Sequence, residues 1–325
     1  MARRGKQAHG RSGTRTLLIC SEEASAYARL VRAAGLPGLR IRIARGVREL
    51  RSGLRLAHLL LAEPHRVAPY LDRAPVLQWV QSTWAGVEQL IEPCRRLGVS
   101  LTGVRGIFGP PICEYVMAYV LAIERRLFEA KEDQRRRRWR PRPYRSLQGL
   151  TMGVMGMGSI GRQVADMAAR FGMNVRGLRR RGGPVRGRAS VYGLQRQKEF
   201  LRGLDYLVAA LPLTPQTEAL FERRFFRLLG KQTVFINVGR GAQMVEEDLI
   251  KALRAGRLRG AVLDVFQREP LASSSPLWRL PGVHLTPHNA AKSFPEQVAP
   301  IFIDNYRRFV RGRALRHRVD LDRGY

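Results

Sequence analysis

Three side chains with complementary acid–base chemistry follow predicted strands late in the sequence. Arg240 lies between two glycines after the apolar run 234–237, and His288 follows Leu285-Thr-Pro287. A guanidinium can hold a carboxylate and polarise an adjacent carbonyl, and an imidazole exchanges protons near neutral pH. Glu269 lies just beyond the strand bearing Asp264, and a carboxylate bonded to one ring nitrogen of His288 would favour the imidazolium. A lone histidine after a strand is more often structural, and the spacing alone does not establish that His288 meets Glu269.

A glycine-rich turn at the middle of the chain predicts a dinucleotide site. An apolar strand leads into Gly156, Gly158, Ser159, Ile160 and Gly161, and a helix is predicted to open at Ser159. A pyrophosphate can approach such a turn only where side chains are absent and helix N–H groups face the charge. Glycine turns also occur for structural reasons. Here the helical apolar spacing over 163–171 and a capping glycine at 172 favour the cofactor interpretation.

The next predicted strand, 174–178, ends at Arg179-Arg180-Arg181. Sites for NAD commonly carry an acidic residue here to bind the ribose hydroxyls. A carboxylate would repel a 2′-phosphate, whereas guanidinium groups pair with it. The arginines therefore predict NADP(H) over NAD(H), although an arginine-rich chain would also place Arg here by composition alone.

Length and composition indicate two domains and no membrane span. The chain has 325 residues, of which 45% are hydrophobic, and no apolar run is long enough to cross a bilayer. Its three cysteines, Cys20, Cys94 and Cys113, are too far apart to suggest a disulfide framework or a metal site. We expect a cytoplasmic protein without metal. The basic first 13 residues lack the apolar core of a secretory signal and are predicted to form a short disordered arm.

The formal net charge of +32 raises nucleic acid as a partner. The arginines are spread along the whole chain, which indicates a compositional bias rather than one binding stripe. The densest run, from Arg135 to Arg145, is predicted to be a solvated connector. We expect nonspecific binding to polyanions at low salt but no specific nucleic-acid recognition.

Strands alternate with helices on both sides of the glycine turn, which predicts two doubly wound parallel sheets. A long helix is predicted from Pro110-Pro111 to about Glu132, and a final helix over 295–310. Before the turn the predicted strands are 17–20, 41–44, 58–62, 76–80 and 99–104; after it they are 174–178, 205–211, 233–237, 261–265 and 283–286.

The chain resembles the D-isomer-specific 2-hydroxyacid dehydrogenases, and within them the glyoxylate/hydroxypyruvate reductase branch, over roughly residues 58–310. The resemblance rests on several separate motifs, which are Leu77-Gln-Trp-Val-Gln-Ser-Thr-Trp-Ala-Gly-Val87, Glu114-Tyr-Val116, Gly153 to Gly161, Leu211-Pro-Leu-Thr-Pro215, Ile236-Asn-Val-Gly-Arg-Gly241, Leu263-Asp-Val-Phe-Gln-Arg-Glu-Pro-Leu271 and Thr286-Pro-His288.

The resemblance implies that Arg240, Glu269 and His288 form the catalytic set. It also implies a flavodoxin-like substrate domain (1–112 with 289–325) and a Rossmann nucleotide-binding domain (113–288), separated by a cleft that closes over the ligand. Backbone N–H groups of Ala85, Gly86 and Val87, together with Arg240, would bind the substrate carboxylate, and a homodimer is expected. Besides the glycine turn and the arginines, the implied cofactor contacts are Leu211, Pro212, Thr217, Val238 and Asp264.

The resemblance favours a reductase of small 2-oxoacids such as glyoxylate or hydroxypyruvate, with NADPH as the hydride donor. Formate oxidation is disfavoured because formate dehydrogenases of this superfamily carry Gln in place of Glu269. Phosphoglycerate dehydrogenase stays open, although the chain leaves no room for the regulatory domain that many of these enzymes carry. A second hypothesis from another class is a nucleotide-sensing, corepressor-like binding protein with a basic surface.

Overall fold

The computed structural model describes residues 13–183 and 190–324. Most of the predicted N-terminal arm, residues 1–12, therefore lies outside the described residues. The described chain divides into two compact units. Unit 1 extends to residue 107 and resumes at residue 293, and unit 2 covers the residues between, so that both divisions lie a few residues from the predicted domain boundaries.

Unit 1 is built on a five-stranded parallel sheet of order β2-β1-β3-β4-β5. The central strands are buried along their length because helices cover both faces of such sheets. The strands are β1 (Arg15–Cys20), β2 (Leu39–Ile43), β3 (Leu59–Ala62), β4 (Trp79–Ser82) and β5 (Ser100–Thr102), and the helices are α1 (Ala24–Ala33), α2 (Val47–Leu54), α3 (Pro64–Val67), α4 (Glu88–Leu97) and the C-terminal α11 (Pro295–Val310). This order is the flavodoxin-like order that the resemblance implied, and the predicted final helix is also found here.

Unit 2 is built on a seven-stranded parallel sheet of order β12-β11-β10-β9-β6-β7-β8. Its strands are β6 (Thr151–Met155), β7 (Asn174–Leu178), β8 (Ser190–Tyr192), β9 (Tyr206–Ala209), β10 (Val234–Asn237), β11 (Gly260–Leu263) and β12 (Val283–Leu285). Its helices are α5 (Gly109–Glu124), α6 (Leu127–Arg135), α7 (Ser159–Arg170), α8 (Gln197–Leu201), α9 (Arg223–Phe226) and α10 (Glu246–Arg254). The sequence prediction of two doubly wound parallel sheets is confirmed.

The prediction of one continuous helix as far as Glu132 is wrong, because the helix breaks at Arg126. This residue takes a left-handed conformation, with φ of 53°, and a new helix starts at Leu127. Its guanidinium donates to the carbonyl of Pro143 and pairs with Glu129, which holds the break against the connector. Strand β8 was not predicted either, since only three residues pair with β7.

The arginine-rich connector is solvated only in its first part. Arg142 donates twice to the buried carboxylate of Asp133, and Arg145 forms two hydrogen bonds to Glu124, of which only 3% is exposed. Burial alone would raise the pKa of Glu124, but the hydrogen bonds from Arg145, Tyr206 and Arg259 outweigh burial and lower it to about 2. The end of the connector is therefore anchored to unit 2 by ion pairs.

No helix in the described ranges is both long and apolar enough to cross a bilayer.

Candidate active site

The structure brings His288 and Glu269 together. Nδ1 of His288 lies 2.7 Å from Oε2 of Glu269, and the second carboxylate oxygen of Glu269 accepts the backbone N–H of Phe266 at 3.0 Å. The Glu269 side chain is thus fixed at both oxygens. With Nδ1 engaged by a carboxylate, the exchangeable proton of the imidazole is carried by Nε2.

The His288 loop is held by Asp264, the residue that follows β11. The backbone N–H of His288 donates to the carbonyl of Asp264, and His288 takes a left-handed conformation with φ of 50°. The Asp264 carboxylate, only 3% exposed, accepts the N–H groups of Asn289 and Ala290 and the hydroxyl of Thr286. Three residues of the 286–290 loop are therefore bonded to the Asp264 side chain, and His288 is bonded to the Asp264 backbone, at the carboxyl end of the sheet.

Thr286 extends this arrangement to α5. Its hydroxyl oxygen lies 2.6 Å from the hydroxyl of Tyr115 and 2.7 Å from the carboxylate of Asp264. A carboxylate can only accept, so the Thr286 proton points to Asp264 and Tyr115 donates to Thr286. The chain of hydrogen bonds orients the loop that carries His288.

Arg240 is presented by a tight loop after β10. The backbone passes so close to Phe266 that a Cβ on Gly241 would lie 1.8 Å from the Phe266 carbonyl oxygen, which is why glycine is needed there. Two fully buried amides fix the loop: Asn237 accepts the N–H of Gly239, and Gln243 accepts the N–H of Arg240. The guanidinium donates to the Gly239 carbonyl at 2.8 Å.

Electrostatics link the three predicted residues. The hydrogen bond to Glu269 is the main cause that raises the pKa of His288 above its usual range, against the opposing effects of burial and of the Arg240 charge. Burial alone would raise the pKa of Glu269, but the hydrogen bonds from His288 and Phe266 hold it below its usual range, with Arg240 adding to the decrease. The arrangement favours an imidazolium–carboxylate pair beside a guanidinium.

The glycine turn has the form that a pyrophosphate requires. Gly156 has φ of 97°, and a Cβ there would lie 2.4 Å from the Ala210 carbonyl oxygen. A Cβ on Gly161 would lie 2.0 Å from the Gly156 oxygen, so this glycine lets α7 pack on β6. A Cβ on Gly158 would meet nothing within 4 Å. Gly158 thus borders open space at the start of α7, beside Ser159 and Ile160, where a dinucleotide can approach the backbone.

The arginines follow β7 as predicted. Arg179 donates one terminal N–H to the carbonyl of Gly182, and its Nε is buried with no hydrogen-bond partner among the described residues. Arg180 is exposed. An orphaned buried guanidinium nitrogen at this place fits a phosphate acceptor.

The remaining predicted cofactor residues follow β9 and β10. Leu211 and Pro212 come after β9, and their carbonyls accept the amide of Gln243. Thr217 donates to the Pro212 carbonyl at 2.8 Å and accepts the N–H of Thr214, which closes a turn. Val238 follows β10 directly and is 8% exposed. All four lie at the carboxyl edge of the sheet, where α/β sheets bind ligands.

Ala85, Gly86 and Val87 belong to unit 1, between β4 and α4. Ala85 is exposed and Val87 is buried. The hydroxyl of Ser82 donates to the carbonyl of Trp84 and accepts its N–H, which fixes the start of this loop. These three residues lie after a central strand at the carboxyl edge of their own sheet.

The positioning roles of four residues around the candidate catalytic side chains were not predicted from the sequence, namely those of Asn237, Gln243, Tyr115 and Phe266. The two amides were visible as polar residues beside Arg240, but their complete burial was not. No three His, Cys, Asp or Glu side chains within 13–183 and 190–324 cluster as a metal site.

Fold and site together define a dehydrogenase of the two-domain α/β class with a Rossmann-type nucleotide domain. Residues 117–290 match the family described as D-isomer specific 2-hydroxyacid dehydrogenase, NAD binding domain. The chain belongs to this family and is an oxidoreductase, and the family resemblance predicted from the sequence is confirmed.

Three relatives place the chain within the family. It is 34% identical to glyoxylate/hydroxypyruvate reductase A of Yersinia enterocolitica over 77% of this chain and 82% of that protein. A crystal structure of a D-isomer specific 2-hydroxyacid dehydrogenase family protein from Aeromonas salmonicida is 44% identical, with a TM-score of 0.91 over 95% of this chain and 100% of that one. The NADPH-dependent glyoxylate/hydroxypyruvate reductase of Sinorhizobium meliloti, in complex with NADP and sulfate, is 29% identical, with a TM-score of 0.87 over 96% and 100% of the two chains.

Proposed function

We propose that the protein reduces small 2-oxoacids, with glyoxylate and hydroxypyruvate as the first candidates, to D-2-hydroxyacids at the expense of NADPH. The observation that carries the proposal is the 2.7 Å contact between His288 Nδ1 and Glu269 beside the Arg240 charge. The names of the Yersinia and Sinorhizobium relatives support the substrate class.

The cofactor, when bound, supplies the hydride, and the protein supplies the proton. In the proposed mechanism His288 Nε2 donates its proton to the carbonyl oxygen of the substrate as negative charge develops there. Glu269 keeps the imidazole protonated, because its carboxylate stabilises the charged form. Arg240 orients the oxoacid and polarises its carbonyl.

Ala85, Gly86 and Val87 are proposed to donate backbone N–H groups to the substrate carboxylate. Asp264 is proposed to accept a hydrogen bond from the NH2 group of the nicotinamide carboxamide. Only its Oδ2 is available for this role, because Oδ1 already accepts three hydrogen bonds from the His288 loop, whereas Oδ2 accepts one. The Asp264 side chain would then position both His288, the proton donor, and the nicotinamide of the cofactor.

NADP(H) is the proposed cofactor. The orphaned Nε of Arg179 and the exposed Arg180 supply donors for a 2′-phosphate at the end of β7. The Sinorhizobium relative, described as NADPH-dependent, supports this choice. A homodimer, which sedimentation would test, is proposed from the family likeness alone.

The corepressor-like hypothesis is not favoured. The relatives above are described as reductases or dehydrogenases. A pure sensor also has no need of the complete Arg240, Glu269 and His288 set, which a reductase requires.

The test is a turnover assay of purified protein with NADPH and either glyoxylate or hydroxypyruvate, followed by the absorbance of the reduced cofactor. We expect turnover by the wild type and a loss of at least about a thousandfold in Arg240→Ala and His288→Ala. Arg254→Ala, an exposed substitution at the end of α10, is the control and should retain activity. Absence of turnover with every 2-oxoacid, combined with a salt-sensitive DNA mobility shift, would support the sensor instead.

A further inference from the structure

Unit 1 contains a cavity at the carboxyl edge of its sheet. Its volume is about 300 Å³, and its lining includes Cys20, Arg45, Val47, His65, Arg66 and Tyr70. Cys20 is the last residue of β1, and the other residues follow β2 or β3. In the order 2-1-3-4-5 the connections reverse direction between β1 and β3, which is the place where open α/β sheets bind ligands. The cavity therefore lies at the ligand-binding position of unit 1, and its size is at the low end for such sites.

The cavity adjoins the loop proposed to bind the substrate carboxylate. The ring of His65, which lines the cavity, lies 4.8 Å from the ring of Trp84. Trp84 directly precedes Ala85 and is 41% exposed. The buried Ser82 hydroxyl fixes the backbone of Trp84 in both directions. The contact between the Trp84 and His65 rings therefore connects the 85–87 loop to the wall of the cavity.

The lining is cationic. No acidic residue is part of it. The charge of Arg66 is already balanced, because its guanidinium pairs with the buried Glu63 at 2.6 Å and with Glu22 at 2.8 Å. The guanidinium of the exposed Arg45 forms no ion pair with any carboxylate of the described chain, and the neighbouring Glu49 accepts the backbone N–H of Arg45.

The thiol of Cys20 adds no negative charge to this cavity. Burial raises its pKa to about 11, which keeps it protonated at neutral pH. The lining thus offers an incoming group an imidazole, a phenol, apolar contacts and one guanidinium that pairs with no carboxylate within 13–183 and 190–324.

We propose that this cavity is a subsite for the far end of the substrate, and that it selects 2-oxoacids whose tail carries a second anion, a carboxylate or a phosphate. Arg45 is the residue that recognises the anion, and the Trp84–His65 wall contacts the carbons between the two ends. The inference rests on the proposed function and makes its substrate class narrower than the relatives' names indicate. Guanidinium groups bind either oxyanion by paired hydrogen bonds.

The experiment compares kcat/KM for matched pairs of 2-oxoacids with NADPH. One pair is 2-oxoglutarate and 5-methyl-2-oxohexanoate, which has nearly the same shape but an uncharged tail. The other pair is 3-phosphohydroxypyruvate and hydroxypyruvate, whose tail is also uncharged. The wild type should have the higher kcat/KM for the member with the charged tail in at least one pair. Arg45→Gln should lower the ratio of kcat/KM for the charged tail to that for the uncharged tail about tenfold, which is the contribution of one charge-assisted hydrogen bond. Arg48→Gln removes the same charge from an exposed position on α2 outside the cavity lining and should leave the ratio unchanged.

The pair that responds to Arg45→Gln identifies the anion as carboxylate or phosphate, and either result supports the proposal. A wild-type ratio of one or less in both pairs would overturn it, as would equal effects of Arg45→Gln and Arg48→Gln. If the protein reduced glyoxylate but did not discriminate between charged and uncharged tails, the subsite proposal would be refuted and the proposed function would stand. If no 2-oxoacid oxidised NADPH, the proposed function would fail and this inference with it.

Discussion

Thr286 donates its hydroxyl proton to Oδ1 of Asp264 over 2.7 Å, at the start of the loop that carries His288. The same carboxylate accepts two backbone N–H groups on the far side of His288. The imidazole is therefore fixed from both ends of its loop, and its orientation depends on a side chain that itself need not react.

Replacing Thr286 by Val keeps the shape of the side chain and removes this hydrogen bond. We expect a roughly tenfold loss in kcat with a smaller change in KM, because a displaced acid slows the chemical step more than binding. Thr151→Val, at the start of β6, is the matched control, since no hydrogen bond of its hydroxyl is part of the site. Steady-state kinetics decide the matter, and an unchanged kcat in the Thr286 variant would show that Asp264 alone orients the loop.

The cofactor choice is tested at Arg179. We expect the wild-type protein to have a higher kcat/KM with NADPH than with NADH, because the Arg179 guanidinium offers an unused donor to the 2′-phosphate. Arg179→Ala should lower kcat/KM for NADPH about tenfold and leave that for NADH nearly unchanged. Arg170→Ala, exposed at the end of α7, should change neither value. A wild type that prefers NADH would show that the arginine run reflects composition only.

The ion pairs of the buried Glu124 carboxylate are expected to stabilise the fold. Glu124→Gln should lower the free energy of unfolding by about 2 kcal/mol, less than for a fully buried pair because Arg145 and Arg259 are 40% and 24% exposed. The pKa of Glu124 is depressed on folding, to about 2, so its contribution is present above the usual carboxyl pKa and is lost as pH falls towards 2. Thermal melts from pH 7 to pH 3 test this.

The exposed pair of Glu199 and Arg196 supplies the control for that measurement. Glu199→Gln should leave the melting temperature nearly unchanged, since exposed ion pairs contribute little. Equal shifts in the two variants would contradict the assigned role of Glu124 as a buried anchor.

The sequence predicted what depends on local pattern. The strand 174–178 and the helix 295–310 match the structure at both ends, because apolar period and proline placement define them. The left-handed break at Arg126 was missed because it is stabilised by a contact with Pro143, seventeen positions away in sequence, that no local pattern encodes.

The candidate site divides in the same way. Arg240, Glu269 and His288 were predicted as candidate catalytic residues from their residue types and their positions after strands. That Asn237 and Gln243 hold the Arg240 loop could not be predicted, because their complete burial results from packing between strands that are distant in sequence.

The central claim is that His288 donates the proton with Glu269 as the group that keeps it charged. The direct measurement is the pH dependence of kcat/KM for glyoxylate reduction in wild type and in Glu269→Gln. The pKa of His288 is raised by Glu269, so the wild-type rate should be highest while the imidazole is protonated and should fall as pH rises through that raised pKa. In Glu269→Gln the fall should occur at lower pH, because the amide no longer stabilises the imidazolium. A wild-type rate that stays constant through neutral pH, or a midpoint unmoved by the substitution, would contradict the account.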